Sequence, residues 1–134
     1  MCLWTKYKEQ IAHEDIMCYK FVLVNKITGK WCGRFQYSQK EFDFDVLLKN
    51  DEKRDVKEAN KNYYFHGKYK IVGGGFFHSS QFISDYAELT FLYDDSKYEE
   101  KVVQCTIPKG SRYFMDGCGN YASRKIIVHS KKNY

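Results

Sequence analysis

The sequence has little of several features that would place it in a specialised class. It contains one proline among 134 residues, and it shows no repeat, linker or low-complexity segment. No run of about 18 apolar residues is present that could cross a membrane, and no apolar stretch typical of an export signal follows the first methionine. We therefore expect a single domain over residues 1–134, located in the cytoplasm and without a membrane partner.

Paired cysteine motifs are also absent. The five cysteines are odd in number and widely spaced, with no C-x-x-C pair and no zinc-ligand spacing. Cys18 and Cys32 fall in predicted neighbouring strands and could face each other as a disulfide. The odd count and the missing export signal instead favour five reduced thiols and no metal site. These cysteines are Cys2, Cys18, Cys32, Cys105 and Cys118.

The charge is modest and the aromatic content is high. Lysine and arginine total 22 against 17 acidic residues, giving a net charge of +5, and the acids are interleaved with the bases. A nucleic-acid partner normally requires clustered basic residues, so this distribution does not favour one. The 12 Tyr and 10 Phe favour strands, because their rings pack on half-buried sheet surfaces.

Apolar runs predict several strands. Cys18–Val24 is continuously apolar enough for a buried strand, and the turn residues Asn25–Lys30 predict a hairpin to Trp31–Tyr37. Val102–Ile107 predicts a second buried strand, which Pro108 ends, and Lys125–His129 predicts the last one. The count is about six or seven strands.

One segment predicts a helix. Ser79 or Ser80 is a suitable helix N-cap, and apolar residues recur at helical spacing over Gln81–Leu92. The charge-rich run Asn50–Lys61 fits either a solvated helix or a loop. The expected fold class is α+β: a compact domain with a mixed, mostly antiparallel sheet and one principal helix over about 80–92. The periodic residues are Phe82, Ile83, Tyr86, Ala87, Leu89 and Phe91.

The clearest candidate site precedes that helix, in the run Gly73–Ser79. Three consecutive glycines permit positive φ values and a close approach to a ligand or another strand. The run lacks the endings of a P-loop and of a dinucleotide fingerprint. A glycine-rich strand edge or bulge is the alternative interpretation. His78 could act as a general base if a partner lies near, or it could simply cap the helix or face solvent.

Two short motifs resemble ADP-ribosyltransferase-like folds. The glycine run followed by Ser84 and Tyr86 resembles the segment that, in this family, holds nicotinamide, and Phe77 takes the place of the stacking tyrosine. Val102–Ser111 resembles the family's catalytic strand and turn. The resemblance implies NAD as a cofactor, but the catalytic glutamate would fall at Gln104, which lacks the negative charge that stabilises an oxocarbenium-like centre.

The chain as a whole resembles a group of small proteins of gut Bacteroidales and their phages. The shared features are the start Met1–Thr5 and the later segments Ile107–Ser111, Tyr121–Ser123 and Ile126–Ile127. This resemblance covers nearly the full length and implies no chemistry. It implies a phage or bacterial origin, and with it a bacterial host cell.

We expect a small non-catalytic binding protein whose partner is a nucleotide-like molecule or another protein. The alternative is a mono-ADP-ribosyltransferase-like enzyme that uses NAD; Gln104 weighs against it, and catalytic residues are not identified. The expected ligand-binding residues are Gly73, Gly74, Gly75, Phe77, His78, Ser79, Tyr86 and Gln104.

Overall fold

The structure, a computed structural model, contains β-strands joined by turns and bends in the residues that it describes. These residues are 3–33, 40–50, 57–58, 70–73, 75–82 and 96–131. The strands are β1 Leu3–Thr5, β2 Gln10–Ile11, β3 Ile16–Asn25, β4 Trp31–Gly33, β5 Leu47–Lys49, β6 Lys57–Glu58, β7 Lys70–Val72, β8 Phe77–Ser80, β9 Tyr98–Ile107, β10 Arg112–Met115, β11 Asn120–Ser123 and β12 Lys125–Val128.

Two antiparallel sheets contain these strands. The larger follows the order β2-β10-β11-β8-β3-β9-β12-β5, with β4 paired to β3 as a side branch. The smaller follows the order β1-β7-β6. Residues of β1 approach β10 and β11, so the small sheet lies against that part of the large one.

A long two-stranded ribbon forms the centre of the large sheet. All ten residues of β3 pair with all ten of β9, from Ile16 opposite Ile107 to Asn25 opposite Tyr98. Because side chains alternate across a strand, one face of the ribbon carries Cys18 and Val22, which are fully buried. Met17, on the other face, is exposed. The inner face of the ribbon points toward the main core. The outer face is exposed at Met17 but covered at its other end, where Leu23 and Tyr98 pack with Cys32.

The large sheet curls back on itself at Arg124, the only residue between β11 and β12. The Arg124 N–H donates to the Arg112 carbonyl at 3.0 Å, and the Arg124 carbonyl accepts from the Asn50 N–H at 2.8 Å. Strand β11, before this residue, pairs with β8 and β10, and strand β12, after it, pairs with β9 and β5. Strands β11, β8, β3, β9 and β12 consequently form a ring.

The main core fills this ring. Trp31 and Ile107 are among its largest fully buried side chains, and Phe77 packs against its margin. Its buried members are Ala12, Cys18, Val22, Trp31, Val103, Cys105, Ile107, Tyr113, Tyr121, Ile126 and Val128. A second cluster lies between the two sheets and contains Leu3, Val72, Phe76, Phe114 and Ala122.

The expected α+β class with a principal helix over about 80–92 is wrong for the described residues, none of which is helical. Ser79 and Ser80 belong to β8, where Ser79 pairs with Tyr121 and Ser80 with Asn120. Their backbone groups are thus committed to a sheet ladder and cannot cap a helix. Gln81 and Phe82 form a bend, and residues 83–92 lie outside the described part.

Several local predictions are confirmed, and one is corrected. The predicted strands at Cys18–Val24, Val102–Ile107 and Lys125–His129 correspond to β3, β9 and β12. The predicted hairpin is present where the chain is described, as β3 and β4. The suggested pairing of Cys18 with Cys32 is wrong, because Cys32 lies opposite Leu23 and Cys18 lies opposite Cys105. Within the charged run 50–61, Lys57 and Glu58 form β6; residues 51–56 and 59–61 are outside the described part.

Candidate functional site

An open cavity of about 650 Å³ lies on the outer face of the large sheet. Strands β3 and β9 supply one wall: Met17 of β3 and Thr106 of β9 lie directly opposite each other in the ladder. The segments before β5 and after β12 supply the other. The lining residues are Met17, Asp45, Gln104, Thr106, His129, Ser130 and Lys131.

A hydroxyl and an imidazole meet in the cavity. Thr106 Oγ1 and His129 Nε2 are hydrogen-bonded at 2.7 Å, and Thr106 Oγ1 is also 3.5 Å from the Met17 sulfur. The His129 backbone is fixed by its N–H, which donates to the Gln104 carbonyl at 2.9 Å and extends the pairing of β12 with β9. The imidazole is therefore held by a regular ladder rather than by a free loop.

A carboxylate lies on the far side of the imidazole. Asp45 Oδ1 is 3.8 Å from His129 Nδ1 and accepts from the Ser130 N–H at 3.2 Å, while Oδ2 accepts from the Ser130 hydroxyl at 2.5 Å. The hydrogen bond from Ser130 and the nearby His129 and Lys131 charges hold the pKa of Asp45 below its usual value. The carboxylate is thus a persistent negative charge beside His129.

Asp45 has an uncommon backbone conformation. Its φ is +61°, and no other non-glycine residue in the described part of the chain has a positive φ. Such a conformation is sparsely populated by non-glycine residues, and aspartate is among those that tolerate it. Its N–H donates to the Val128 carbonyl at 2.8 Å, which anchors the turn to the end of β12.

The remaining groups around the cavity differ in chemistry. Gln104 offers an amide that can both donate and accept, and Lys131 offers an exposed ammonium. Met17, with 47% of its surface exposed, provides an apolar face. The cavity therefore presents donors, one cation, the Asp45 carboxylate and an apolar surface to a ligand that enters from solvent.

The predicted site residues are divided between different surroundings. Gln104 lines the outer cavity, whereas Phe77 packs against the core inside the ring of strands. Ser79 is buried in β8. Gly75 has a φ of +93°, which confirms that this turn needs a glycine conformation. Gly74 and Tyr86 lie outside the described residues.

His78 is turned back onto its own segment. Its Nε2 is 3.1 Å from the carbonyl oxygen of Gly73, so the ring closes the turn between β7 and β8. Burial, opposed by that hydrogen bond and reinforced by the Lys20 charge, lowers the pKa of His78 from 6.5 to about 4. The imidazole is consequently neutral at physiological pH and serves as a donor to Gly73.

A second polar group lies inside the ring, around Lys20. The Lys20 ammonium donates to the His78 carbonyl and lies 5.7 Å from the centre of the Trp31 ring. Burial lowers the pKa of Lys20, and the hydrogen bond with Cys105 lowers the pKa of the Cys18 thiol. Burial raises the pKa of Cys105. Cys18 and Cys105 are fully buried, whereas Lys20 is partly exposed, so the cluster extends from the core to its margin.

Of the seven residues that line the cavity, only Gln104 was among the site residues predicted from sequence; the other six include Asp45, Thr106 and His129. A signal for Thr106 was present, since polar Gln104 and Thr106 alternate with apolar residues in an otherwise buried strand, which indicates a polar outer face. Asp45 and His129 carry no such signal, because their proximity depends on the pairing of β5 with β12.

Comparisons with protein-family models, with curated proteins and with solved structures gave no match to this chain. Among the described residues, no three metal-ligating side chains come together. In the same part of the chain, no helix has the length and apolar character needed to cross a membrane.

Proposed function

We propose that this chain is a binding protein for a small anionic, nucleotide-like molecule, and that the outer cavity around Gln104 and His129 is its ligand site. The observation that supports the proposal is the cavity itself: it is open, has a volume of about 650 Å³, and is lined by polar side chains from separate segments. That volume is within the range of small-molecule sites, which combine an apolar surface with a few placed polar groups.

The chemistry of the lining favours this class of ligand. The Lys131 ammonium is exposed and suits a phosphate group. The Gln104 amide can pair with the edge of a purine, because it offers one donor and one acceptor side by side. Met17 supplies an apolar surface against which a base can lie. Asp45, already engaged by Ser130 and His129, contributes position rather than a free acceptor.

The cavity is a better candidate than the glycine run. Phe77 packs against the core and against the Phe42 ring, so only part of its ring is exposed to a ligand. His78 is bonded to Gly73 within the same segment. The proposal therefore keeps the nucleotide-like ligand and Gln104 from the sequence prediction, but places the ligand in the outer cavity instead of at the glycine run. A cytoplasmic location in a bacterial cell, and a phage or Bacteroidales origin, remain part of the proposal; the free thiols of Cys18 and Cys105 are compatible with it.

Titration calorimetry with adenosine monophosphate tests the site. We expect binding to the unmodified protein. Lys131→Ala should lose about tenfold or more in affinity, since a charge-assisted contact is worth about 1.5–3 kcal/mol, and Gln104→Ala should lose about fivefold, since a neutral contact is worth about 1 kcal/mol. The matched controls are Gln81→Ala and Lys26→Ala, which remove an exposed amide and an exposed lysine elsewhere.

The controls should bind as the unmodified protein does. Absence of binding for adenosine monophosphate, ADP-ribose and NAD alike would overturn the proposal. An affinity that is unchanged in both cavity variants would overturn it as well. Consumption of NAD during the titration would instead favour the ADP-ribosyltransferase-like alternative.

A further inference from the structure

We propose that the outer cavity also carries out acyl transfer, with Thr106 as the nucleophile and His129 as its general base, toward small activated esters. The inference uses the cavity of the proposed function and does not depend on the identity of its nucleotide-like ligand. The juxtaposition that carries it is the line of hydroxyl, imidazole and carboxylate formed by Thr106, His129 and Asp45.

The first requirement is a base within hydrogen-bond reach of the nucleophile. Thr106 Oγ1 and His129 Nε2 are 2.7 Å apart, within the range that proton abstraction needs. The competing neighbour is the Met17 sulfur at 3.5 Å. A thioether is a much weaker acceptor than an imidazole nitrogen, so the hydroxyl proton points to His129.

The second requirement is a group that holds the base in the correct tautomer. With its proton on Nδ1, the imidazole directs that N–H toward Asp45 Oδ1, 3.8 Å away. This separation is longer than a hydrogen bond and must shorten when an imidazolium forms; catalytic contacts are often loose without a substrate. Asp45 is a positioning residue, fixed by two hydrogen bonds from Ser130 and by its positive-φ turn.

The neighbouring hydroxyl of Ser130 is not placed for the same role. It donates to Asp45 Oδ2 at 2.5 Å, so its proton is directed to the carboxylate rather than to the imidazole. These contacts therefore identify the hydroxyl of Thr106, and not that of Ser130, as the one that His129 activates.

The reaction balances with groups in the cavity and water. The Thr106 Oγ1–carbon bond forms as its proton moves to His129 Nε2, and the bond from carbon to the leaving alkoxide breaks as the alkoxide takes that proton. Water then attacks the threonyl ester with the same base, releasing the carboxylic acid and restoring Thr106. The Gln104 amide and the Lys131 ammonium line the cavity and carry donors suited to the developing oxyanion.

The probe is p-nitrophenyl acetate, with release of p-nitrophenolate followed by absorbance and the site of acetylation located by peptide mass spectrometry. In samples quenched with acid during turnover, before water has hydrolysed the ester, we expect one acetyl group on Thr106, removable by alkaline hydroxylamine, which cleaves esters and leaves acetylated lysines intact. Thr106→Val should abolish this adduct, Thr106→Ser should retain it, and His129→Gln should slow its formation about 100-fold or more.

Asp45→Asn tests the positioning role through the rate of acetylation. The amide has nearly the shape of the carboxylate but no charge to hold the Nδ1 proton of His129, so acetylation of Thr106 should slow while acetylation of surface lysines stays unchanged, a difference that a general loss of structure would not produce. Circular dichroism shows whether each variant is folded, and Thr106→Ser and Thr106→Val are close enough in shape to the native residue for their comparison to decide the question.

Acetylation of Ser130 or of lysines alone, or an adduct that persists in Thr106→Val, would overturn the inference. Binding of adenosine monophosphate at the cavity without acetylation of Thr106 would refute acyl transfer and leave the proposed function intact. Acetylation of Thr106 without nucleotide binding would support acyl transfer and refute the proposed function.

Discussion

Protonation of His78 should be a major cause of acid destabilisation. Its pKa is about 4 in the folded protein against 6.5 as the ordinary value, mainly because the ring is buried. The folded state therefore favours the neutral imidazole, and the associated stability is fully present above pH 6.5 and is lost as pH falls toward 4. Each pKa unit corresponds to about 1.4 kcal/mol, so roughly 3 kcal/mol of unfolding free energy depends on this group.

The perturbation is His78→Gln, which keeps an N–H donor for the Gly73 carbonyl but cannot be protonated. Urea unfolding is measured for both proteins at about pH 7.5 and about pH 4.5, so that the carboxylates common to the two cancel in the comparison. We expect the unmodified protein to lose about 2.5 kcal/mol more than the variant between these conditions.

His13→Gln, at an exposed position, controls for the removal of a histidine as such. Equal losses for the unmodified protein and His78→Gln would refute the reasoning, because they would mean that the His78 imidazole is not held neutral by the fold. A variant that is the more acid-sensitive of the two would refute it as well.

Two other predictions concern the closure of the sheet and the thiols. The Arg124 side chain is 7% exposed, and its Nε donates to Glu9 Oε2 at 2.6 Å. Glu9→Gln should therefore lower the unfolding free energy, measured by urea titration, by about 2 kcal/mol, with the exposed Glu14→Gln as the control. An unchanged midpoint would contradict a role for this ion pair. Alkylation of the native protein, read by mass spectrometry, should modify the exposed Cys118 quickly, and denaturation should be needed for the three buried thiols. Rapid native labelling of the buried set, or a pair still protected after denaturation without reductant, would contradict the described arrangement. The buried thiols are Cys18, Cys32 and Cys105.

The central strands could be predicted from sequence because their signal is local. The apolar runs in β3 and β9 are strongly strand-forming, and Pro108 and Gly110 mark the turn that follows β9. The helix prediction went wrong at Ser79 and Ser80, where side chains suited to a helix cap also suit a strand. Only the distant partner strand decides between the two, and that partner is not visible in the local pattern.

The candidate site was predictable only in part for the same reason. Gln104 was identified through a motif resemblance, and it does line the outer cavity. Its neighbours Asp45 and His129 come from segments far apart in the sequence, and they meet because β5 pairs with β12 and β12 pairs with β9. A single sequence carries no record of which strands pair, so residue types alone could not bring these side chains together.

The long β3–β9 ribbon has a consequence for how the chain folds during synthesis. It pairs Asn25 with Tyr98 and Ile16 with Ile107, so β3 leaves the ribosome long before its principal partner exists. At about 5–20 residues per second, the wait is on the order of several seconds. Throughout that interval the apolar strand bearing Val22 and Leu23 lacks its main neighbour. The nascent chain is therefore most vulnerable to misassociation before β9 emerges, and its core can close only once the C-terminal strands have been made.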